Sequence, residues 1–196
     1  MIKFFFKKES TILLVLILMV IGCESAGTPK PRGYFRIDMP TRAYQTLDSI
    51  LPYSFDYPKY SKLEKSLSRT AEPYWLNIYF PNFNARIHIS YKEVNENLYE
   101  LYDDNIRLAY NHVVKADAIE EHVFIDDDHK LYGMLFEIKG NAASPIQFFA
   151  TDSAHHFLRG SLYFQTHPNK DSLAPVIDFL TEDVVHLLET IRWKNQ

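Results

Sequence analysis

The sequence predicts an α+β fold: one mainly antiparallel sheet, strand order βββα-ββββα, covered by two amphipathic helices. Three observations carry this. Residues 85–92, ARIHISYK, alternate apolar and polar with period two, as a half-buried strand does. Residues 95–116 and the stretch after Asn169 instead place apolar residues three and four apart, the spacing of one helix face. The strand-like runs are joined by short turns, which forces antiparallel neighbours, and two amphipathic helices need a sheet face to cover.

The elements follow in order. PYSFDYP (52–58) alternates between prolines and reads as the first strand. YWLNIYF (74–80) sets Leu76, Ile78 and Phe80 on one side. After the turn-forming PNFN (81–84), Ala85, Ile87, Ile89 and Tyr91 face one way and Arg86, His88, Ser90 and Lys92 the other. These two runs predict a hairpin. The helix over 95–116 carries Leu98, Leu101, Tyr102, Leu108, Ala109 and Val113 as its apolar stripe. Its acidic first half and Lys115 at its end suit the helix dipole. Four strands are expected next, at 118–125, 130–140, 145–151 and 155–166. KLYGMLFEIKG is apolar on both sides, which predicts a central strand with a helix over each face or a helix on one and a loop on the other. The last helix opens at Asn169–Ser172 and buries Ile177, Leu180, Val184, Leu187 and Ile191. Asp171 or Ser172 is its expected N-cap, with Pro175 in the first turn. This order is similar to that of the Mog1/PsbP-like α/β/α sandwich, an analogy that implies no function.

Residues 1–22 belong outside that domain. Lys3, Lys7 and Lys8 precede an uncharged run, Thr11–Ile21. Eleven residues are too few to span a bilayer, which takes about 20, and a positive start before a short apolar core reads as a secretory signal. The run ends in Val20-Ile21-Gly22-Cys23, which resembles the bacterial lipobox. The resemblance implies cleavage before Cys23, a diacylglyceryl group on its sulfur and an acyl chain on its new amine, with no other cofactor. Cys23 is the single cysteine, so lipidation leaves neither a free thiol nor a disulfide. Several acyl chains hold a protein on a membrane where one holds it marginally. Residues 23–33, small, polar and proline-bearing, read as the lipidated N-terminus and tether, and 34–196 as one globular domain.

The full chain carries 21 basic and 25 acidic residues. Without the three lysines and Glu9 of the signal its net charge is −6, which argues against a nucleic-acid partner. The eight histidines make no His-x-x-x-His pair and no Cys/His cluster, so no metal site is expected. Asp126–Asp128 lacks the ligand spacing of a calcium loop. Glu120 and Glu121 diverge as neighbours on a strand. Asp152, Ser153, His155 and His156 supply the residue types of hydrolytic or ligand-binding chemistry in one loop, without a G-x-S-x-G elbow. They define an alternative reading, a periplasmic enzyme or small-ligand binder. Gly140-Asn141 reads as a turn needing a positive backbone angle.

The blocks PKPRGYFRIDMP (29–40), KADAIEEHVFI (115–125), IKGNAASPIQFFATDSAHHFLRGSLYF (138–164) and PNKDSLAPVIDFLTEDVVHLLETIRW (168–193) resemble the GldD family of gliding-motility lipoproteins from Bacteroidetes. The resemblance implies a non-enzymatic envelope component of gliding motility and of the linked type IX secretion machinery. It brings no catalytic residue, and Cys23 alone transfers as a defined position. The expected partners are the membrane and other envelope proteins of that machinery. The expected location is lipid-anchored and periplasm-facing, with the outer membrane slightly preferred over the inner. Arg32, Tyr34, Arg36 and Asp38 near the anchor, with Asn141 and Ser144 in the GNAASP loop, are the candidate partner contacts. The competing reading of GYFRID is a first edge strand.

Overall fold

The computed structural model describes residues 36–194, apart from Asp48, Leu67 and residues 112–114. The signal segment, Cys23, Arg32 and Tyr34 lie outside the described residues. A compact unit begins at Ile37. Its centre is a seven-stranded antiparallel sheet made from β4 (Lys62–Lys65), β5 (Leu76–Phe80), β6 (Ala85–Glu93), β7 (Ala116–Asp126), β8 (Leu131–Gly140), β9 (Ile146–Thr151) and β10 (His156–Phe164). The spatial order is β4-β5-β6-β10-β9-β8-β7. Two small sheets flank it. β1 (Tyr44–Thr46) pairs with β3 (Asp56–Pro58), and β2 (Tyr53–Ser54) with β11 (Arg192–Trp193).

The β5–β6 hairpin forms as the alternation requires, with Leu76 opposite Ile89 and Phe80 opposite Ala85. Ala85, Ile87, Ile89 and Tyr91 are all buried. They join Leu131, Leu135, Phe148 and Leu158 in a core closed by helix α2 (Lys170–Glu189), through Val176, Leu180, Val184 and Leu187. The opposite face carries a smaller core. There Phe136, Ile138, Phe149 and Phe157 meet Leu98, Leu101, Ile106 and Ala109 of helix α1 (Leu98–Tyr110).

Several expectations need correction. PYSFDYP is not one strand: it splits at the buried Phe55 into β2 and β3, which serve different sheets. There the Asp56 amide donates to Thr190 Oγ1 at 2.9 Å. β8 is second from an edge, not central. Its two apolar faces reflect a helix on each side of the sheet, Leu131 and Leu135 toward α2 and Phe136 and Ile138 toward α1. Two-sided burial requires cover, and cover does not require the middle position. α1 is shorter than 95–116, because Glu96 takes a left-handed φ of 60° before it and β7 starts at Ala116. Leu108 is 43% exposed, and the buried position of that turn is Asn105, whose amide donates to Leu101 O at 2.9 Å. Val113 lies outside the described residues. The cap of α2 is Asn169, which accepts the Ser172 amide at 3.2 Å. Pro175 therefore sits in the second turn, and the carbonyl it leaves without a helix bond belongs to the exposed Asp171. Residues 36–43 form no strand, so the edge-strand reading fails for the described part of GYFRID.

Candidate functional site

The Asp152–His156 loop joins β9 to β10, and its polar atoms close that turn. Asp152 Oδ1 accepts the amides of Ala154, His155 and His156 at 3.0, 2.8 and 2.8 Å. Burial alone would raise the carboxyl pKa, but these three bonds prevail and hold it below the ordinary value. The Thr151 hydroxyl donates to His156 O at 2.6 Å and accepts the Ser153 amide at 3.0 Å. Ser153 adopts a left-handed φ of 65° to make the turn. His156 is buried. Its Nδ1 lies 2.7 Å from the Tyr91 hydroxyl, and its ring stacks on Trp193 at 5.1 Å. Burial pushes its pKa down and that of Tyr91 up to about 12. His155 is exposed, its ring 6.4 Å from that of His156 and nearly perpendicular. The arrangement fixes a turn. Among the described residues, no hydrogen bond joins the Ser153 hydroxyl to either imidazole.

One cluster of metal-ligand types escaped the sequence reading because it forms across two strands. Glu120 of β7 stands opposite Glu137 of β8, and His122 Nε2 lies 3.3 Å from Glu137 Oε1. The Lys139 ammonium is 2.5 Å from Glu137 and 3.6 Å from Glu120, and supplies the positive charge there. Its pKa rises chiefly through the bond to Glu137. Glu121 diverges as expected and accepts the Tyr110 hydroxyl at 2.8 Å. In the acidic turn, Asp126 accepts the His129 amide at 3.1 Å and sits 2.7 Å from its Nδ1, and Asp127 accepts the Tyr132 hydroxyl at 3.1 Å.

The candidate contact residues are not brought together as one patch. Arg36 and Asp38 are exposed. Asn141 is exposed too, yet its carbonyl oxygen accepts the Lys170 amide at 3.0 Å and ties the GNAASP loop to the start of α2. Gly140 before it has φ 108°, the positive angle the turn was expected to need. Ser144 is fully buried, and its hydroxyl donates to Ile146 O at 3.2 Å. Its side chain presents nothing to a partner.

The chain segment that leads into the fold is clamped to α2. The Tyr44 hydroxyl donates to Asp183 Oδ1 at 2.8 Å, and Tyr60 donates to the other oxygen. Arg42 pairs with Glu182 at 2.7 Å, approaches Asp183 at 3.6 Å and donates to Phe179 O at 3.1 Å. Burial drives the Asp183 pKa up against the hydrogen bonds and the guanidinium that lower it.

An exposed apolar face lies at the β7 end of the central sheet. β7 is its terminal strand, eleven residues long, and no described strand pairs with its outer edge. Beside it runs a groove of about 600 Å³, lined by Tyr99 and Tyr102 of α1, Val123 and Ile125 of β7, Met134 and Phe149. Tyr99 is 79% exposed, Val123 65% and Ile125 68%, well above what a strand facing a helix normally leaves to water. The same elements carry acidic residues: Glu100, Asp103 and Asp104 on α1, Glu121 and Asp126 on β7, and Asp127 and Asp128 in the turn after it. The run Val123-Phe124-Ile125 carried the signal. Phe124 packs against the α2 core, so its two apolar neighbours must point away from it.

Comparison with known proteins gives two likenesses. The family model described as Gliding motility lipoprotein GldD matches residues 24–193, beginning one residue after Cys23. The chain is also similar to the solution structure of cyanobacterial PsbP (CyanoP) from Synechocystis sp. PCC 6803. The identity is 11%, 79% of this chain and 94% of that chain are covered, and the TM-score is 0.48. No curated protein matches.

Proposed function

The chain belongs to the gliding motility lipoprotein GldD family, and from that premise we propose that it is a non-catalytic assembly part of the gliding and type IX secretion machinery. Family membership makes it a membrane-anchored protein of the cell envelope. In our reading the anchor is lipid on Cys23, the domain faces the periplasm and the membrane is the outer one. Among the described residues no helix is long and apolar enough to cross a membrane, which accords with an anchor outside the domain.

The observation that carries the docking role is the unpaired β7 edge with its exposed apolar groove. The occupant is an extended segment of an envelope partner in which apolar residues alternate with lysine or arginine. It would add a strand to β7 and set its apolar side chains in the groove, and the acidic residues of α1, β7 and the turn after it complement its charge. A second copy fits poorly, since β7 against β7 would set like carboxylates against each other. Arg36, Asp38 and Asn141, with Arg32 and Tyr34, remain proposed contacts close to the anchor.

Val123→Lys with Ile125→Lys tests the face. Both side chains are exposed, so thermal unfolding should move by less than about 1 kcal/mol. Envelope crosslinking should lose the chain's partners, and colonies should stop spreading. Spreading at the wild-type rate would remove the docking role. Cys23→Ala should release a folded domain from the membrane and reduce gliding, and full gliding by that soluble form would show that anchoring is dispensable. The enzymatic alternative is tested by Ser153→Ala with His155→Ala, which spares the Asp152, Thr151 and His156 bonds that hold the loop. Undiminished motility of this variant would dispose of it.

A further inference from the structure

The part of the sheet face that α1 leaves open is unusually cationic for an acidic chain. Residues directly opposite on neighbouring strands share a face. Arg159 of β10 stands opposite Phe149 of β9 and Ser90 of β6. Ser161 stands opposite Gln147 and His88, and His88 opposite Asn77. α1 packs over Phe149 and Phe157, but His88 is exposed and Arg86, Ser90 and Arg159 are only partly buried. The patch is open to solvent from this side.

Its charges do not balance. Arg86 Nε has Glu64 at 3.0 Å. Among the described residues Arg159 has only a neutral acceptor, Gln147 Oε1, at 2.9 Å. Burial lowers the Arg159 pKa, and the one neighbour acting the other way is Tyr163, not a carboxylate. Gln147 is 2% exposed, and its Nε2 has no hydrogen-bond partner among the described residues. A buried donor is rarely left orphaned. The bond from Arg159 fixes which end of the amide is spent, so an N–H remains to be satisfied beside the guanidinium. His88 has Nδ1 2.7 Å from Asn77 Oδ1. Burial, then Arg86 and Arg159, push its pKa down, so both guanidinia bear on the same point of the face.

We propose that Arg159, with the unpartnered Gln147 amide beside it, forms a binding site for a single oxyanion, a carboxylate or phosphate group. A desolvated cation is costly until a counter-charge completes it, and a guanidinium fork matches two oxygens of one such group. The site uses none of the residues that line the β7 groove and stands independently of the docking reading. The oxyanion reaches it as a free small ion or on an acidic side chain of another protein.

The test uses the full lipidated chain in detergent micelles, with 15N-labelled arginine, at constant ionic strength. The Arg159 side-chain resonance is the one missing from Arg159→Gln. Inorganic phosphate and a hexaglutamate peptide are titrated separately. A saturable shift with phosphate establishes a free-anion site. A shift with the peptide alone establishes that the group arrives on acidic protein chain. In either case Arg159→Gln should bind that probe roughly tenfold or more weakly, from loss of a charge-assisted pair. If neither probe moves the resonance, or the variant binds equally well, the site does not exist. Should the variant misfold, an Arg159→Lys spectrum supplies the assignment and the wild-type titration decides.

Discussion

Asp183 offers the sharpest test of how the entering chain is held. Its carboxylate is 2% exposed and accepts the hydroxyls of Tyr44 and Tyr60, with Arg42 at 3.6 Å. Asp183→Ala removes two bonds to a charged acceptor, each worth about 1.5–3 kcal/mol. Part of that loss is offset, because burial already penalises the charge, as its raised pKa shows. Arg42 keeps Glu182 at 2.7 Å and is not left unpaired. The net cost should be about 3 kcal/mol. For a domain of this size that lowers Tm by roughly 6–12 °C. Circular dichroism of the full chain in detergent measures it, and a cycle with Tyr60→Phe separates the clamp from general packing. Alone, Tyr60→Phe should cost about 1–2 kcal/mol. In the Asp183→Ala background it should cost almost nothing, a coupling of about 1 kcal/mol or more. A loss below about 1 kcal/mol for Asp183→Ala, or a coupling near zero, would refute the clamp.

Further outcomes concern pH and packing. Burial raises the Tyr44 pKa, with help from Asp183, to about 12 from 10.0, and raises Tyr91 to about 12. The stability these hydroxyls contribute is full below pH 10 and is lost as pH rises through about 12, so alkaline unfolding followed by tyrosine absorbance should fall in that interval, and Tyr91→Phe should lessen it. His156, held neutral mainly by burial, works in the opposite direction: its contribution is present above its ordinary 6.5 and is lost as pH falls through its lowered folded pKa. His156→Phe should flatten that acid limb in denaturant melts; an unchanged slope would mean that His156 does not cause it. Gly160→Ala should destabilise by about 1–3 kcal/mol through overpacking, because its new Cβ would lie 2.1 Å from Cζ of Phe148, itself in the core. A Tm equal to wild type would show that Phe148 has room to move.

What the residues disclosed in advance follows from how local each signal was. The β5–β6 hairpin was legible because alternation and a short turn determine each other within eighteen residues. α2 was legible as a stripe, though not in its first turn, since Asp171 and Ser172 are cap-forming residues as good as the Asn169 that fills the role. The small sheets were not legible. β1, β2, β3 and β11 are two or three residues long, too short to show a period, and the partner of β11 is β2, at the opposite end of the domain's sequence. Ser144 resembled a loop contact because its burial is decided by packing around β9 and not by its own neighbours. The exposed β7 edge hid in a strand read correctly, because an edge position is a property of the sheet and not of the run AIEEHVFI. The surroundings of Arg159 hid for the same reason, since its neighbours are set only once β6, β9 and β10 lie side by side.

The two ends of the central sheet are unequal, and this sets a valency. β4 is four residues long with a lysine at either end, a margin that discourages further pairing. β7 is nearly three times as long and bare along its outer side. On the docking reading proposed above, addition to this sheet happens once: an incoming strand saturates the β7 border, and the described strands offer no equivalent one at the far side for the next molecule. Growth by this route stops at a one-to-one complex and cannot propagate into a fibre. If the border docks a partner as proposed, a membrane-anchored protein crowded on its surface would keep it without polymerising along that surface.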